Sequence, residues 1–595
     1  MVTRVGIWVS RHWKKLLLLR VRLPLNQEAL YLAAAVLIGI AGGVSNFVFS
    51  QLQRLMQGVI FGSSEEITVI AGQLEWWQRL VVPTLGAFGA ALILYGGLKL
   101  LSNPGLSNLI EVVVAGDGRL ALRSSLIQAF SSLFSISTGA SIGREGPIIQ
   151  VSATLASKGG QLLRWAPYRL RLLVACGAAA GIAASCHAPI AGAVFAAQIV
   201  LANFSMNLFA PLLCSAVVAS VVSRSFFGVV HWFEVPHYDF TELSQLPWFA
   251  VLGLCSGMFG ALFLKLLTLT QVKLSATGVH ISLRFAMAGL AVGAIALLFP
   301  GVWGNGYGTT NVLLHQDLAL SFLVGLLCAK LIATVVTVGV GTIGGVFTPT
   351  LFLGAGLGTL FGAVLHKLGL AVGLPMGAFG LVGMGAMLAA TTHSSLLAII
   401  MLFELSLNYS IVPPLMLACA VSTVVSTYLH KDSIYTEPLR RKGLEPHRES
   451  TQIGAATHQF VGDLMKPPVP PLLETASLRE ISERFLTGTN NFLPIVNGVQ
   501  KLVGVVALHD LKDVLSTDQE IQGVIAYDIM RPPPVCVTPQ QTLTSIVSVL
   551  LMSELRNIPV VNNTTELTLL GSIDRTEALS ILSEAISARS TPAGG

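Results

Sequence analysis

Charge is what this chain has least of. Among its 595 residues, 11% are Asp, Glu, Lys or Arg, against about 25% in an ordinary soluble domain. The deficit is uneven: residues 28–430 are almost free of charge runs, while 437–595 read as soluble sequence. A mean hydropathy of +0.72, with 53% hydrophobic residues, excludes a single soluble globule and gives a polytopic membrane protein with a polar C-terminal part. Other absences narrow the function. The seven cysteines include no Cys-x-x-Cys pair; Cys176, Cys186, Cys214, Cys255, Cys328 and Cys419 stand singly in apolar segments, and Cys536 lies in the polar part. That argues against a disulfide frame or a metal site and leaves buried thiols. There is no His-Glu-x-x-His helix, which removes an intramembrane metalloprotease and with it the enzyme reading. Acids in the apolar segments are too few for a divalent-cation transporter. Basic residues crowd one place only, Arg4, Arg11, Lys14, Lys15, Arg20 and Arg22, so nucleic acid is not an expected partner and this end is expected to stay in the cytoplasm. A signal peptide does not fit, because the first run, Ala29–Phe49, is long enough to span and no short core with a cleavage site precedes it.

What is present is a series of apolar segments at about 29–57, 79–102, 119–135, 147–162, 170–200, 207–224, 247–271, 283–299, 317–338, 350–369, 376–390, 395–407 and 411–429. Many are shorter than the ~20 residues of a perpendicular spanning helix, and Gly or Pro cuts several. Segments of this kind are expected where helices stop midway and aim their ends at a cavity. Most of the 58 glycines are expected to serve close helix contact, as in Gly177-Ala178-Ala179-Ala180-Gly181.

Within this apolar background stands Gly143-Arg144-Glu145-Gly146-Pro147. A carboxylate in hydrocarbon costs roughly 2.5–3.5 kcal/mol by insertion scales, so it marks a water-filled cavity or an ion path. Pro147 suits the first turn of a helix, and a helix N-terminus is an anion site. The alternative is that Glu145 only pairs with Arg144 and caps the helix. A second copy follows: Gly345-Val346-Phe347-Thr348-Pro349 matches in its outer Gly and Pro at an offset of 202, and Ala183-Ala184-Ser185-Cys186-His187 is echoed by Ala389-Ala390-Thr391-Thr392-His393 at 206. Repeated, Gly/Pro-broken apolar segments point to a transport site at the repeat interface.

These two motifs, with a late Tyr435, resemble the signature regions of the CLC family of chloride channels and chloride/proton exchangers, over about residues 27–441. The resemblance implies an all-α polytopic membrane domain (28–441) built as two inverted repeats, about 28–224 and 245–430, with many tilted and broken helices. It implies a homodimer with one pore per subunit, carrying chloride or other small anions through the lipid bilayer, with protons as a further partner of the exchangers. It makes Glu145 the gate and places the anion near Arg144, Gly146, Ile148, Val346, Phe347 and Tyr435. The first family signature falls on Ser102-Asn103-Pro104-Gly105-Leu106-Ser107, where Pro104 stands in place of a donor serine; proline has no hydroxyl and no N–H, and a Pro here resembles plant members that favour nitrate. The inner glutamate of many exchangers maps to Ile199, beside Gln198, and neither ionises. Channel and exchanger therefore stay open. Lys330 reads as an anion attractor or as an internally paired lysine; His187 and His393 as helix-end hydrogen-bonding groups rather than metal ligands; Glu404 as a partner for backbone groups. Asp432-Ser433-Ile434-Tyr435 is expected to start the last membrane helix, with Tyr435 either an anion donor or an interfacial tyrosine.

After a linker (442–458) a second repeat appears. Val461-Gly462-Asp463-Leu464-Met465 is echoed by Ala526-Tyr527-Asp528-Ile529-Met530, and Phe492-Leu493-Pro494-Ile495-Val496 by Asn557-Ile558-Pro559-Val560-Val561. This resembles a tandem of CBS domains, 459–517 and 524–586, followed by a tail (587–595): a cytoplasmic α/β module. The resemblance implies either a dimer clamp or an adenine-nucleotide site, the ribose acids then being Asp510 and Glu577. No other cofactor and no metal are expected, and the membrane of residence reads as a bacterial inner membrane.

Overall fold

The structure, a computed structural model, describes residues 27–101, 108–114, 116–165, 167–202, 204, 206–228, 233, 243–370, 374–444, 460–487, 490–511, 523–543, 545–563 and 565–579. Pro104, the basic N-terminal stretch and most of the linker lie outside the described residues. Two compact units divide the chain, Met1–Glu445 and Pro446–Gly595.

In the first unit, nine helices among the described residues are long and apolar enough to cross a bilayer. Seven helices, Gln27–Phe61, Trp76–Leu100, Leu122–Ser137, Glu145–Leu162, Pro167–Cys186, Pro189–Phe195 and Met206–Phe227, with the short helices Ile67–Gln73 and Leu109–Val114 between them, are followed by Leu246–Ala276, Ile281–Leu298, Leu320–Gly339, Phe347–Lys367, Met376–Thr392, Ser395–Ser406 and Val412–Leu429, with Tyr307–His315 between the second and third. The repeat seen in two motifs thus runs helix by helix. Large apolar side chains such as Leu37, Val59 and Leu85 stay exposed on the outer helices, a surface suited to lipid and not to water.

Small residues let the central helices touch. A Cβ on Gly177 would lie 2.6 Å from Ala153 Cα, and one on Gly181 2.7 Å from Ile149 Cα; in the second half a Cβ on Gly358 would lie 2.0 Å from the Phe379 carbonyl oxygen. Each contact presses the motif helix (Glu145–Leu162 or Phe347–Lys367) against the helix that follows it.

The apolar run 170–200, continuous in hydropathy, is two helices. Ala188 precedes Pro189, which disfavours the α region for it; it sits at φ −118, ψ 83, and His187 before it turns left-handed at φ +56. His393 repeats this at φ +54. The first short helix that follows is capped from the other repeat, and the cap residue of the second is tied back to the first. Glu404 accepts from the N–H groups of Ile190 (2.9 Å) and Ala191 (2.8 Å), while Ser394, which N-caps Ser395–Ser406, donates to Gln198. Gln198 and Glu404 are separated by the same 206 residues as the two histidines. Gln198 lies in a π turn, Ala196–Val200, the one place where the short helix widens.

One expectation is corrected. Ile434–Thr436 is a turn rather than the start of a helix. Ser433 accepts from Tyr435 N and Thr436 N, and the helix begins only at Glu437, where Pro438 fits the first turn. That helix, Glu437–Arg441, is five residues long and too short to span. It is tied by ion pairs Arg440–Asp432 and Arg441–Glu437, with Lys442 reaching Glu111 at 2.6 Å.

In the second unit, β1 (Leu472–Leu473), β2 (Phe492–Val496) and β3 (Leu502–Ala507) form one sheet in that order, and β4 (Asn557–Val561) and β5 (Leu569–Asp574) another. The repeat is visible in register: the antiparallel pairs β2–β3 and β4–β5 each slip by one residue at the same place, Ile495/Val496 and Val560/Val561. The opening segment of each repeat then pairs with the last strand of the other, Lys466 with Ser572 and Arg531 with Val505.

The crossed caps generate a test. Glu404→Ala leaves the Ile190 and Ala191 N–H groups without their acceptor and is expected to cost about 1–2 kcal/mol, read as a lower melting temperature in detergent. Glu404→Gln, which keeps one oxygen, should lose less; equal melting of all three proteins would refute the cap.

Candidate functional site

The site forms where the two repeats meet. Gly143 N–H donates to Gly345 C=O at 2.6 Å and Gly345 N–H to Gly143 C=O at 2.7 Å, a reciprocal pair that joins the two motif loops like rungs of a sheet. Only glycine allows this approach: a Cβ on Gly146 would lie 2.9 Å from Gly345 N, and one on Gly143 2.0 Å from a Glu145 oxygen. Each loop opens directly into a helix, Glu145–Leu162 and Phe347–Lys367. The first N–H groups of a helix have no partner within it and carry partial positive charge. Two such ends are therefore held side by side in the interior of the unit.

Glu145 occupies the space between them. It is 1% exposed. Its Oε1 accepts from Tyr307 Oη at 2.8 Å and from Thr348 Oγ1, and Thr348 stands in the first turn of the other repeat's helix. Its Oε2 has no hydrogen-bond donor among the described residues and lies over Gly143 and Gly345. An acid of the first repeat thus sits at the helix N-terminus of the second, where an anion is favoured. Arg144, 6% exposed, turns away to lie 5.5 Å over the Tyr307 ring and reaches Ser50 Oγ at 3.4 Å. A cavity of about 280 Å³ lined by Arg54, Glu66, Arg144, Asn305, Tyr307 and other polar groups opens beside this pair.

Tyr307 was not legible in the sequence; it starts the helix Tyr307–His315 behind a left-handed Gly306. The loop before it is fastened by Lys330, fully buried, whose Nζ donates to Val302 C=O and Gly304 C=O at 3.0 Å each and lies 5.0 Å over the Phe352 ring. The internally paired reading of Lys330 is the one the structure shows. The other expected residues fall into place unevenly. Val346 caps and Phe347 begins the second helix; Gly146 is wedged against Gly345. Ile148 is core, packed with Ile142, Ile136 and Leu133, and its N–H already reaches Arg144 C=O at 3.3 Å. Tyr435 lies edge-on to Phe195 at 5.5 Å, beside the short helix of the first repeat. His187 and His393 approach Ser223 and Ser426 at 3.3 and 3.5 Å.

In the C-terminal unit the two acids are crossed between repeats. Asp510 pairs with Arg531 at 2.5 Å, and Glu577 with Lys466 at 2.5 Å; the hydrogen bond to Glu577 raises Lys466 above its ordinary pKa. Arg531 also lines a cavity of about 330 Å³ with Phe492, Val505, Pro532, Val549 and Met552.

The pattern of paired motif loops and a buried acid agrees with comparisons to known proteins. The voltage-gated chloride channel family model matches residues 85–427. The chain belongs to the CLC family. Two CBS domains follow, at 461–517 and 526–584. This CLC protein is 42% identical over 419 residues to a ClcB-like chloride channel protein of Ralstonia nicotianae, covering 69% of this chain and 96% of that one. It is 33% identical to the voltage-gated ClC-type chloride channel ClcB of Escherichia coli O81 (strain ED1a), covering 68% and 98%. Among solved structures it resembles a slow cyanobacterial Cl⁻/H⁺ antiporter, with a TM-score of 0.62, 23% identity and coverage of 69% and 97%. The CLC chain is therefore a membrane transport protein rather than an enzyme, and these relatives span about two thirds of its length.

Two residues at the CLC site escaped the sequence. Thr348 was in view only as one position of the second motif; its signal is a hydroxyl in the first turn of a motif helix. Tyr307 is 162 residues from Glu145, and its one local signal is the glycine turn Gly304-Asn305-Gly306 ahead of a helix.

Proposed function

We propose that this CLC protein conducts chloride and similar small anions across a bacterial inner membrane, as a homodimer with a separate path in each subunit, and that Glu145 gates the path. The observation that carries this is the seat of the Glu145 carboxylate against the N-terminus of Phe347–Lys367, sharing Thr348 with that helix. A charged carboxylate there substitutes for an anion and closes the path. Protonation removes the charge that the helix ends attract, and a competing anion displaces the side chain; either step opens it. Tyr435, at the far side of the short helix Pro189–Phe195, suits the inner end of the same path. The basic N-terminal stretch supports a cytoplasmic N-terminus, and the CBS pair is proposed to lie on the same side.

Proton-coupled exchange is the second reading, since Glu145 is itself a proton carrier. The usual inner acid is absent: Ile199 cannot ionise, and Gln198 is engaged by Ser394. Chloride flux and proton movement measured together in proteoliposomes separate the two. Glu145→Gln is expected to abolish the pH dependence of flux while flux persists; a folded variant that still titrates like the parent would refute the gate.

For the CBS pair we propose adenine-nucleotide binding. Asp510 beside Arg531 offers a carboxylate for ribose hydroxyls and a guanidinium for phosphate, next to the apolar cavity that Arg531 lines. Calorimetry on the full-length protein should show ATP or AMP binding, weakened about ten- to a hundredfold by Asp510→Ala. No heat at millimolar nucleotide would leave the pair as a clamp held by its crossed ion pairs.

A further inference from the structure

Tyr307 has a fixed place that nothing about the gate itself requires. Its backbone is anchored on both sides. Upstream, Lys330 holds the carbonyls of Val302 and Gly304, and Gly306 turns at φ +89 where a Cβ would meet the Phe352 ring at 2.6 Å. Downstream, Glu66 accepts from Gly308 N–H at 2.6 Å, capping the helix that Tyr307 begins. The ring is clasped as well, edge-on to Phe233 at 5.0 Å and beneath Arg144 at 5.5 Å. The hydroxyl of this clasped ring donates to Glu145 Oε1. Thr348, on a helix packed into the core, donates to the same oxygen.

Resting on the gate reading above, we infer that Tyr307 and Thr348 form a two-hydroxyl latch that holds the seated Glu145 carboxylate, so that Tyr307 is a positioning residue setting the pH at which this protein opens. A hydrogen bond to the charged form of an acid favours that form, and a donor held by its surroundings loses little freedom in making it. The direction follows. Without one donor the charged, seated state is weakened, and transport turns on at higher pH. When Glu145 leaves, the two hydroxyls remain aimed at the vacated position, where an anion can accept them. The charged and titratable groups around the pair are Arg144 over the ring, the buried Cys186 and Tyr435 nearby, and Arg54, Glu65 and Glu66 along the adjoining cavity. Tyr307→Phe changes none of them and keeps both ring contacts.

The test is the pH profile of chloride flux from proteoliposomes of the full-length protein. Tyr307→Phe is expected to move the half-maximal pH upward by about one unit, a tenfold change in proton affinity. Thr348→Val should move it in the same direction, and Thr348→Ser, which restores the hydroxyl, should return it to the parent's. Glu145→Gln serves as the reference. A Tyr307→Phe profile superimposed on the parent's, with Glu145→Gln flat, overturns the latch and leaves the gate standing. A Glu145→Gln profile that still titrates overturns the gate itself. Should Tyr307→Phe fail to fold, Thr348→Val and Thr348→Ser carry the test, and identical profiles for both overturn the latch.

Discussion

Everything at the candidate site depends on the reciprocal backbone pair between Gly143 and Gly345. Two loops about two hundred residues apart are joined by hydrogen bonds that only side-chain-free residues can make at this distance. That joint fixes the relative position of two helix N-termini, and with them the field in the interior. Anions bind at one helix N-terminus for known reasons; two held together give a site where an anionic group is favoured in the interior of the unit. Glu145 lies in that site, with two hydroxyls donating to one of its oxygens.

Polar groups elsewhere in the membrane unit are handled by a different device. Lys330, fully buried, donates to carbonyls and faces an aromatic ring, and the half-buried Glu404 accepts from two N–H groups of a helix start. Both are fixed in place by what they bind. Glu145 differs: one of its oxygens is held and the other lies over glycines. A side chain half-held in this way can leave, whereas Lys330 and Glu404 cannot leave without stranding backbone groups.

This contrast explains what was legible in the sequence. Helix starts at Pro147, Pro189 and Pro349, the repeat, and the exceptional acid at Glu145 are local signals, and all lie where the fold uses them. The role of Glu404 followed because an acid deep in an apolar helix has few other uses. Tyr307 was hidden, and Lys330 was visible only as an internally paired lysine without its partners, because those partners lie 162 and 26–28 residues away. Tyr435 lies in a turn rather than a helix because the Ser433 side chain accepts from the Tyr435 and Thr436 N–H groups. The pairing of Asp510 with Arg531 and of Glu577 with Lys466 was likewise invisible, since each crosses between repeats whose order in the chain says nothing about which strand each segment joins.

The central claim is that the Glu145 carboxylate sits in an anion's place. Anomalous scattering from bromide-soaked crystals tests it most directly. In Glu145→Gln the account predicts a bromide peak beside Gly345 and Thr348, at the position the carboxylate occupies in the parent, and in the parent at high pH no peak there. A bromide at that position in the parent with the carboxylate still seated, or none in the variant at saturating bromide, would contradict it.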